Sequence, residues 1–312
     1  MWVLGSKFRL FAELWLFYHH LPLSAEYTIY KTAHILKPRS TSTMLDFTEQ
    51  GRKQTQSMYE TLELEHQGNI ARLWLNRPDK LNPLSLQTLE ELTNAAAELN
   101  RDKSLKVVIV GGRGRCFSAG ADLAGFPQPG DADARDAADA GRRMADAIEQ
   151  IRAVTIARVQ GWCIGGGLVL AAACDLRVAA TDARFSIPEI DLGIPLAWGG
   201  IPRLVREIGP ALTKELVMTC RPFDAAEALN AGFLNKTAEP DALDDVVDAL
   251  TQAIAQRPSF AVQATKRHVD AVTANQVGLS RSWSDADSLL SGLMDPECQE
   301  SRERYINARQ RK

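Results

Sequence analysis

Paired cysteines are missing from this chain. Its five cysteines, Cys116, Cys163, Cys174, Cys220 and Cys298, are odd in number and scattered. None forms a Cys-x-x-Cys pair and no histidine sits at zinc-ligand spacing, so they read as reduced thiols of a cytosol-like compartment rather than a disulfide frame or a zinc site. The five histidines (His19, His20, His34, His66, His268) do not cluster. A histidine-based hydrolase or a metal enzyme is left without visible partners, and no metal is expected. An excess of positive charge is absent too: 36 Lys and Arg face 39 Asp and Glu, for a formal net charge of −3. No basic field draws such a chain to nucleic acid. There is no membrane-spanning apolar run. What is present is a globular composition, 45% hydrophobic and 24% charged over 312 residues, enough for one large core or two modest domains.

Residues 1–57 differ from the rest. An apolar, aromatic run from Phe8 to Tyr18 is followed by Ser40-Thr41-Ser42-Thr43. Arg9 and Glu13 interrupt that run and no small-residue cleavage site follows, which argues against a secretory signal; Glu13 and Glu26 also argue against an acid-poor transit peptide. The expectation is a poorly ordered N-terminal extension, with Met44 and Met58 as alternative starts. Localisation is expected to be cytoplasmic, or the mitochondrial matrix if the extension is a transit peptide.

From Tyr59 the pattern becomes regular. Thr61–His66 and Ile70–Leu75 alternate apolar and polar around Gln67-Gly68-Asn69 and predict a β-hairpin. Leu86, Leu89, Leu92 and Ala96 make a helical stripe with Ser85 as its cap. Lys106–Val110 reads as a buried strand, residues 131–152 as a long surface helix, and Ala153–Val159 and Asp175–Ala180 as further strands. Helices are expected near 201–219, 224–231 (capped by Asp224), 242–256, 258–272 and across 280–310. Strands alternating with helices argue for an α/β layer fold.

Of two glycine turns, one stands out and the other is a weak signal on its own. In Gly161-Trp162-Cys163-Ile164-Gly165-Gly166-Gly167, three adjacent glycines precede the helix-forming run Leu168–Ala173. Such a triplet marks a place where another molecule approaches the backbone closely, and the helix start aims free N–H groups and a positive dipole end at it. That arrangement suits a polarised carbonyl oxygen or an anion. The other turn, Arg113–Asp122, matches neither a phosphate-cradling loop nor the dinucleotide fingerprint. Further on, Glu189 and Asp191 lie among apolar residues and turn formers. A carboxylate in apolar surroundings has its pKa pushed up, which suits it to acid–base work near neutral pH.

Four elements in order, Leu75–Asn82 (LNRPDKLN), Phe117–Leu123 (FSAGADL), Gly161–Gly167 with Cys174-Asp175, and Phe185–Glu189 (FSIPE) with Leu192-Gly193, resemble the crotonase, or enoyl-CoA hydratase/isomerase, superfamily over roughly 250 residues. The resemblance implies a spiral of ββα units over residues 58–250, followed by a C-terminal helical oligomerisation module over 251–312. It implies an acyl-CoA substrate, no cofactor beyond the coenzyme A moiety, and a homotrimer or dimer of trimers. The thioester oxygen would be held by the backbone N–H groups of Ala121 and Gly166. Ser118, Ala119, Gly120 and Ala121 would meet the adenine end of the coenzyme, with Lys80 as a further contact. Arg309 and Arg311 either reach the phosphates or form a solvated tail.

The family's hydratases use two glutamates. The first position is Val169 here; the second is Glu189. One base suffices to move a proton from C2 to C4, so the expectation is an enoyl-CoA isomerase with Glu189 as the proton shuttle, and Val169 and Trp198 shaping an apolar acyl pocket. A hydratase that tolerates Val169 and an acyl-CoA-binding oligomer without chemistry remain open. Asp191 is expected to be structural. Arg158, in an otherwise buried strand, is expected either at a sheet edge or paired with an acid.

Overall fold

The computed structural model describes residues 59–125, 131–282 and 284–310. Residues 1–57, expected to form an extension, lie outside the described residues. The described residues belong to one compact unit.

The expected hairpin is β1 (Leu62–Gln67) and β2 (Ile70–Leu75), paired antiparallel from Leu62↔Leu75 to Gln67↔Ile70. Gly68 takes φ 61° in the two-residue turn, a left-handed conformation that glycine adopts without a Cβ penalty. The main sheet then continues in parallel through β3 (Val107–Gly112), β4 (Val154–Val159), β6 (Leu176–Ala180) and β9 (Lys236–Ala238), in the order β1-β2-β3-β4-β6-β9. Parallel strands buried on both faces read as continuous apolar runs. Val108, Val110, Ala157 and Ala179 face one core, shared with the helices α1 (Leu86–Arg101), α2 (Ala134–Glu149) and α3 (Gly166–Ala172). Val107, Ile109, Ile156 and Val178 face the other, covered by Leu243 and Val247 of α6 (Leu243–Ala255).

The chain visits a second, smaller sheet between its main strands and its helices. β5 (Trp162–Ile164), β7 (Arg184–Ser186) and β8 (Phe223–Asp224) form it in that order. Isolated bridges Leu84↔Ala121 and Ser118↔Cys163 extend the same kind of pairing to the two preceding windings. Four times the chain runs from a main strand to a short paired segment and then to a helix: β2, Leu84, α1; β3, Ser118, α2; β4, β5, α3; β6, β7 and α4 (Gly200–Thr219). This is the spiral of ββα units. Its inner sheet is anchored by Phe185, fully buried and stacked on Phe223 with ring centroids 5.2 Å apart and edge-on to Phe233 at 5.9 Å.

Capping follows the sequence. Ser85 accepts from the Thr88 N–H of α1, and Asp224 accepts from the Glu227 N–H of α5 (Ala225–Asn230). Helix α4 breaks at Gly209 (φ 75°, ψ 166°) before Pro210. Residues 131–152 give the expected helix, with Met144 and Ile148 on its apolar face. In α2 the side chains of Met144, Ala145 and Ile148 are fully buried, while Asp139 and Asp146 pair with Arg142. The chain ends in α7 (Ser259–Gln276), α8 (Asp285–Met294) and α9 (Pro296–Gln310). The 250/251 boundary drawn from the sequence falls inside α6. None of the helices among the described residues is long and apolar enough to cross a membrane.

Candidate active site

The inner sheet brings together segments far apart in sequence. Ser118 N–H donates to Trp162 O at 3.1 Å and Ile164 N–H donates back to Ser118 O at 3.1 Å. On the other side β5 pairs with β7 in the register Ile164↔Ser186, and Gly165 N–H donates to Ser186 O at 2.9 Å. The glycine triplet and the Pro188-Glu189 turn therefore leave adjacent parallel strands at the same end, beside the 118–121 turn. No sequence neighbourhood supplies this closeness; the ladder does.

The 118–121 turn is braced from within. Asn82, 1% exposed, donates through Nδ2 to the carbonyls of Arg113 (2.8 Å), Cys116 (3.0 Å) and Phe117 (3.3 Å) and accepts from the Arg77 N–H. Ser118 is fully buried; its hydroxyl donates to Asn82 O at 2.8 Å and accepts from the Gly120 N–H at 3.1 Å. Both Ser118 bonds are internal, so this serine shapes the turn, while Ala119, Gly120 and Ala121 line the cleft in front of it. Leu84 bonds to Gly120 O and to the Asp122 N–H. The Ala121 N–H between them has no acceptor among the described residues.

Each glycine of the triplet is required by a different neighbour. A Cβ on Gly165 would come within 2.4 Å of Glu189 Oε1, one on Gly166 within 2.2 Å of Trp198 Cζ3, and one on Gly167 within 2.7 Å of Ser118 Cβ. Gly165 also has φ 49°, ψ −115°, which side-chain-bearing residues rarely adopt. The first bond of α3 runs from Val169 N–H to Gly165 O at 3.0 Å. The N–H groups of Gly166, Gly167 and Leu168 precede it and have no helical acceptor. A Cβ on Gly120 would lie 3.7 Å from Gly166 N, which measures how closely the two turns abut.

In front of them lies a cleft of about 620 Å3, its open mouth included. Its walls are almost wholly apolar: Val169, Leu192, Ile194, Leu196, Trp198, Leu289 and others, with Tyr305 of α9 at one side. Among the described lining residues Glu189 is the one carboxylate. It is 9% exposed, and its Oε2 is buried without a hydrogen-bond partner. Burial pushes its pKa from the ordinary carboxylate value up to about 7. Val169 is 1% exposed and packs toward Gly200 and Leu196, so no carboxylate stands where α3 faces the cleft. The Trp198 indole lies over Gly166, and its backbone is left-handed at φ 60°. Holding a tryptophan there costs about 1 kcal/mol or more.

The cleft thus combines Ala119, Gly120, Ala121, Gly166, Val169, Glu189 and Trp198 from the expected set. Lys80 is exposed at the end of a short 3-10 turn, next to Leu81, whose carbonyl accepts from the Ala119 N–H at 2.9 Å. It stands behind the first turn and outside the cleft lining. Asp191 is exposed, and its carbonyl accepts from Ser301 Oγ. Arg158 pairs with an acid: its guanidinium grips both oxygens of Asp244 at the start of α6 and sits 6.0 Å from the Trp74 ring. The Arg309 side chain and Arg311 lie outside the described residues. Sequence reasoning missed Leu289 and Tyr305, because α8 and α9 carry no motif and reach the cleft only through tertiary packing. It also missed Arg203 and Asp285, discussed below. An arginine inside the apolar face of α4 was the available signal for Arg203.

Comparison with known proteins places the sequence and the fold. The family model for enoyl-CoA hydratase/isomerase matches residues 65–312. A crotonyl-CoA hydratase from Syntrophomonas wolfei is 36% identical over 209 residues, covering 67% of this chain and 80% of that protein. A peroxisomal Delta(3,5)-Delta(2,4)-dienoyl-CoA isomerase from Arabidopsis thaliana is 34% identical over 228 residues, covering 68% and 82%. Among solved structures, a probable enoyl-CoA hydratase from Mycobacterium smegmatis superposes with a TM-score of 0.68 at 32% identity, over 74% of this chain and 93% of that one. An enoyl-CoA hydratase/isomerase from Mycobacterium paratuberculosis gives 0.73 at 25% identity, over 79% and 99%. With its ββα spiral, its paired glycine turns and a family match across most of its length, the chain belongs to the enoyl-CoA hydratase/isomerase family.

Proposed function

We propose that this enzyme of the hydratase/isomerase kind moves the double bond of an enoyl-CoA, with Glu189 as its one acid–base group. The thioester carbonyl of the substrate accepts from the N–H groups of Ala121 and Gly166. The Glu189 carboxylate takes a proton from C2 of a 3-enoyl-CoA, and the negative charge that develops is delocalised onto the thioester oxygen. Two fixed backbone donors in a largely apolar cleft stabilise such charge by a few kcal/mol each without having to reorganise. The Glu189 carboxylic acid then returns the proton at C4, giving the 2-enoyl-CoA and restoring the carboxylate. A pKa near 7 suits a group that must both take and give a proton near neutral pH. The reaction moves a proton and consumes no water or redox equivalent.

The observation that carries this reading is the single carboxylate. With Val169 facing the cleft, hydration would leave one acidic group to activate water and to protonate the α-carbon. A hydratase remains the second reading, favoured by relatives such as the crotonyl-CoA hydratase of Syntrophomonas wolfei. Incubating the purified enzyme separately with 3-enoyl-CoA and 2-enoyl-CoA, with products resolved by chromatography against both isomers and identified by mass, separates the two. Interconversion without mass gain supports the isomerase, and conversion of 2-enoyl-CoA to a product heavier by one water removes it. Tight acyl-CoA binding with no turnover and no solvent deuterium at C2 would leave only a binding protein.

We further propose a homotrimer or pair of trimers assembled through the C-terminal helices. Helix α7 supports it: none of its residues is buried within the chain, and Phe260, Val269 and Val272 are exposed.

A further inference from the structure

We propose that Asp285 is a positioning residue: by accepting the Gly199 N–H it holds the Trp198 turn, and through the indole it fixes Gly166 and the acyl side of the cleft. Trp198 (φ 60°) and Gly199 (φ 69°) are both left-handed. Nothing in a tryptophan favours that region, so contacts from outside the turn must keep it there. Three are present. Gly199 N–H donates to Asp285 Oδ2 at 2.8 Å, and Arg203 Nη1 donates to the carbonyls of Trp198 at 3.2 Å and Gly199 at 3.3 Å. Arg203 is fully buried and is itself pinned to α2, donating through Nη2 to Asp146 Oδ1 at 2.9 Å and Glu149 Oε2 at 2.6 Å.

The turn so held places the indole between two helices. A Cβ on Gly141 of α2 would come within 1.9 Å of the ring, and one on Gly166 of α3 within 2.2 Å. Glycine at both positions makes room for the tryptophan, and the ring in turn fills the space behind the Gly166 backbone. Asp285 is the first residue of α8, and Leu289, one turn on, lines the cleft. A helix from the end of the chain therefore reaches the turn next to the carbonyl-gripping glycine. Arg142, Asp139 and Arg203 are charged groups that act on the Asp285 carboxylate. The bond to Gly199 needs only an oxygen acceptor at that point. For its effect on turnover, the inference rests on Gly166 gripping the thioester. Its effect on the shape of the acyl side does not.

The test compares Asp285→Asn, which keeps an acceptor oxygen without the charge, with Asp285→Ala, which removes it. Three readouts are taken: kcat on an enoyl-CoA the wild type turns over, the ratio of calorimetric affinities for butyryl-CoA and decanoyl-CoA, both unreactive, and the affinity for coenzyme A alone as a control. The Ala variant is expected to lose about 10-fold or more in kcat, as a misplaced donor does. It should also change the affinity ratio by about 5-fold, while binding of coenzyme A alone stays within about twofold. The Asn variant should stay close to wild type in all three. Wild-type kcat and affinity ratio in Asp285→Ala would overturn the inference, and so would equal losses in Ala and Asn. If Asp285→Ala does not fold, Asp285→Glu, which displaces the acceptor by one methylene, is judged by the same readouts. Should the wild-type enzyme turn over no enoyl-CoA at all, the isomerase reading fails, and the affinity ratio still decides for or against Asp285.

Discussion

Glu189 holds its proton more tightly in the folded chain than in the unfolded one, because burial raises its pKa to about 7 and no donor meets Oε2. Below the ordinary carboxylate pKa both states are protonated and the group costs nothing. As pH rises toward 7 the penalty grows, and above that it is complete at about 3 kcal/mol. Glutamine has no such titration. The stability gap between Glu189→Gln and wild type should therefore be flat in the acid range, open by about 3 kcal/mol in favour of Gln between pH 4 and pH 8, and then level off. Urea unfolding at a series of pH values measures it; a pH-independent gap would remove burial as the cause of the shift. The same substitution should lower kcat by about 10^2- to 10^4-fold while leaving acyl-CoA affinity nearly unchanged. Wild-type kcat should rise with pH through about 7, because the first step needs the carboxylate. The apolar context of Ile187, Pro188, Ile190 and Leu192 marked Glu189 and Asp191 alike, and only the resemblance of the Pro188-Glu189 element to the family singled out Glu189. The residues that hold its neighbours were not. Asp285 looks like any acid at a helix start, and only the Gly199 bond gives it a role.

Of the main strands, β1 and β2 were readable from their alternation and β3 from the run Val107–Val110, whereas β9, three residues long, left no sequence signal. The inner sheet escaped notice because its strands run for two or three residues, too short for any periodicity to register. Yet that sheet assembles the site. Its dependence on Phe185 gives a prediction: Phe185→Ala removes the ring packed between Phe223 and Phe233 and should cost about 3–5 kcal/mol in urea unfolding. Glu189 lies four residues downstream, so activity should fall further than the folded fraction does. At the start of α3, Gly166→Ala places a methyl 2.2 Å from the Trp198 ring. The ring, the helix start or both must shift, and kcat should drop by about 10^2-fold or more, since a donor displaced by an ångström loses most of its effect. A folded Gly166→Ala variant with wild-type kcat would show that this N–H is not in the reaction.

Across the whole described chain, the alternation of strand and helix predicted the class of fold, but not the way the windings stack. The order β1-β2-β3-β4-β6-β9 leaves β5, β7 and β8 for a separate sheet, and nothing local says which strands leave the main ladder. Family resemblance supplied that, through motifs that mark where the chain turns inward. Assembly is decided at the same scale. If α7 forms the contact between copies, Phe260→Asp, a change at a side chain 80% exposed in the isolated chain, should leave each chain folded and shift the light-scattering mass from a trimer or hexamer toward one chain. An unchanged mass would place the contact elsewhere. The three adjacent glycines carry a consequence for how this enzyme tolerates change. The Gly166 group proposed to grip the thioester belongs to the main chain, so no side-chain exchange short of proline deletes it. What each position answers to is the bulk that Glu189, Trp198 and Ser118 leave behind it. In a saturation library, kcat losses among the non-proline variants at 166 and 167 should rank by side-chain volume, whereas at 165, with φ 49° and Glu189 beside it, every side chain should be costly.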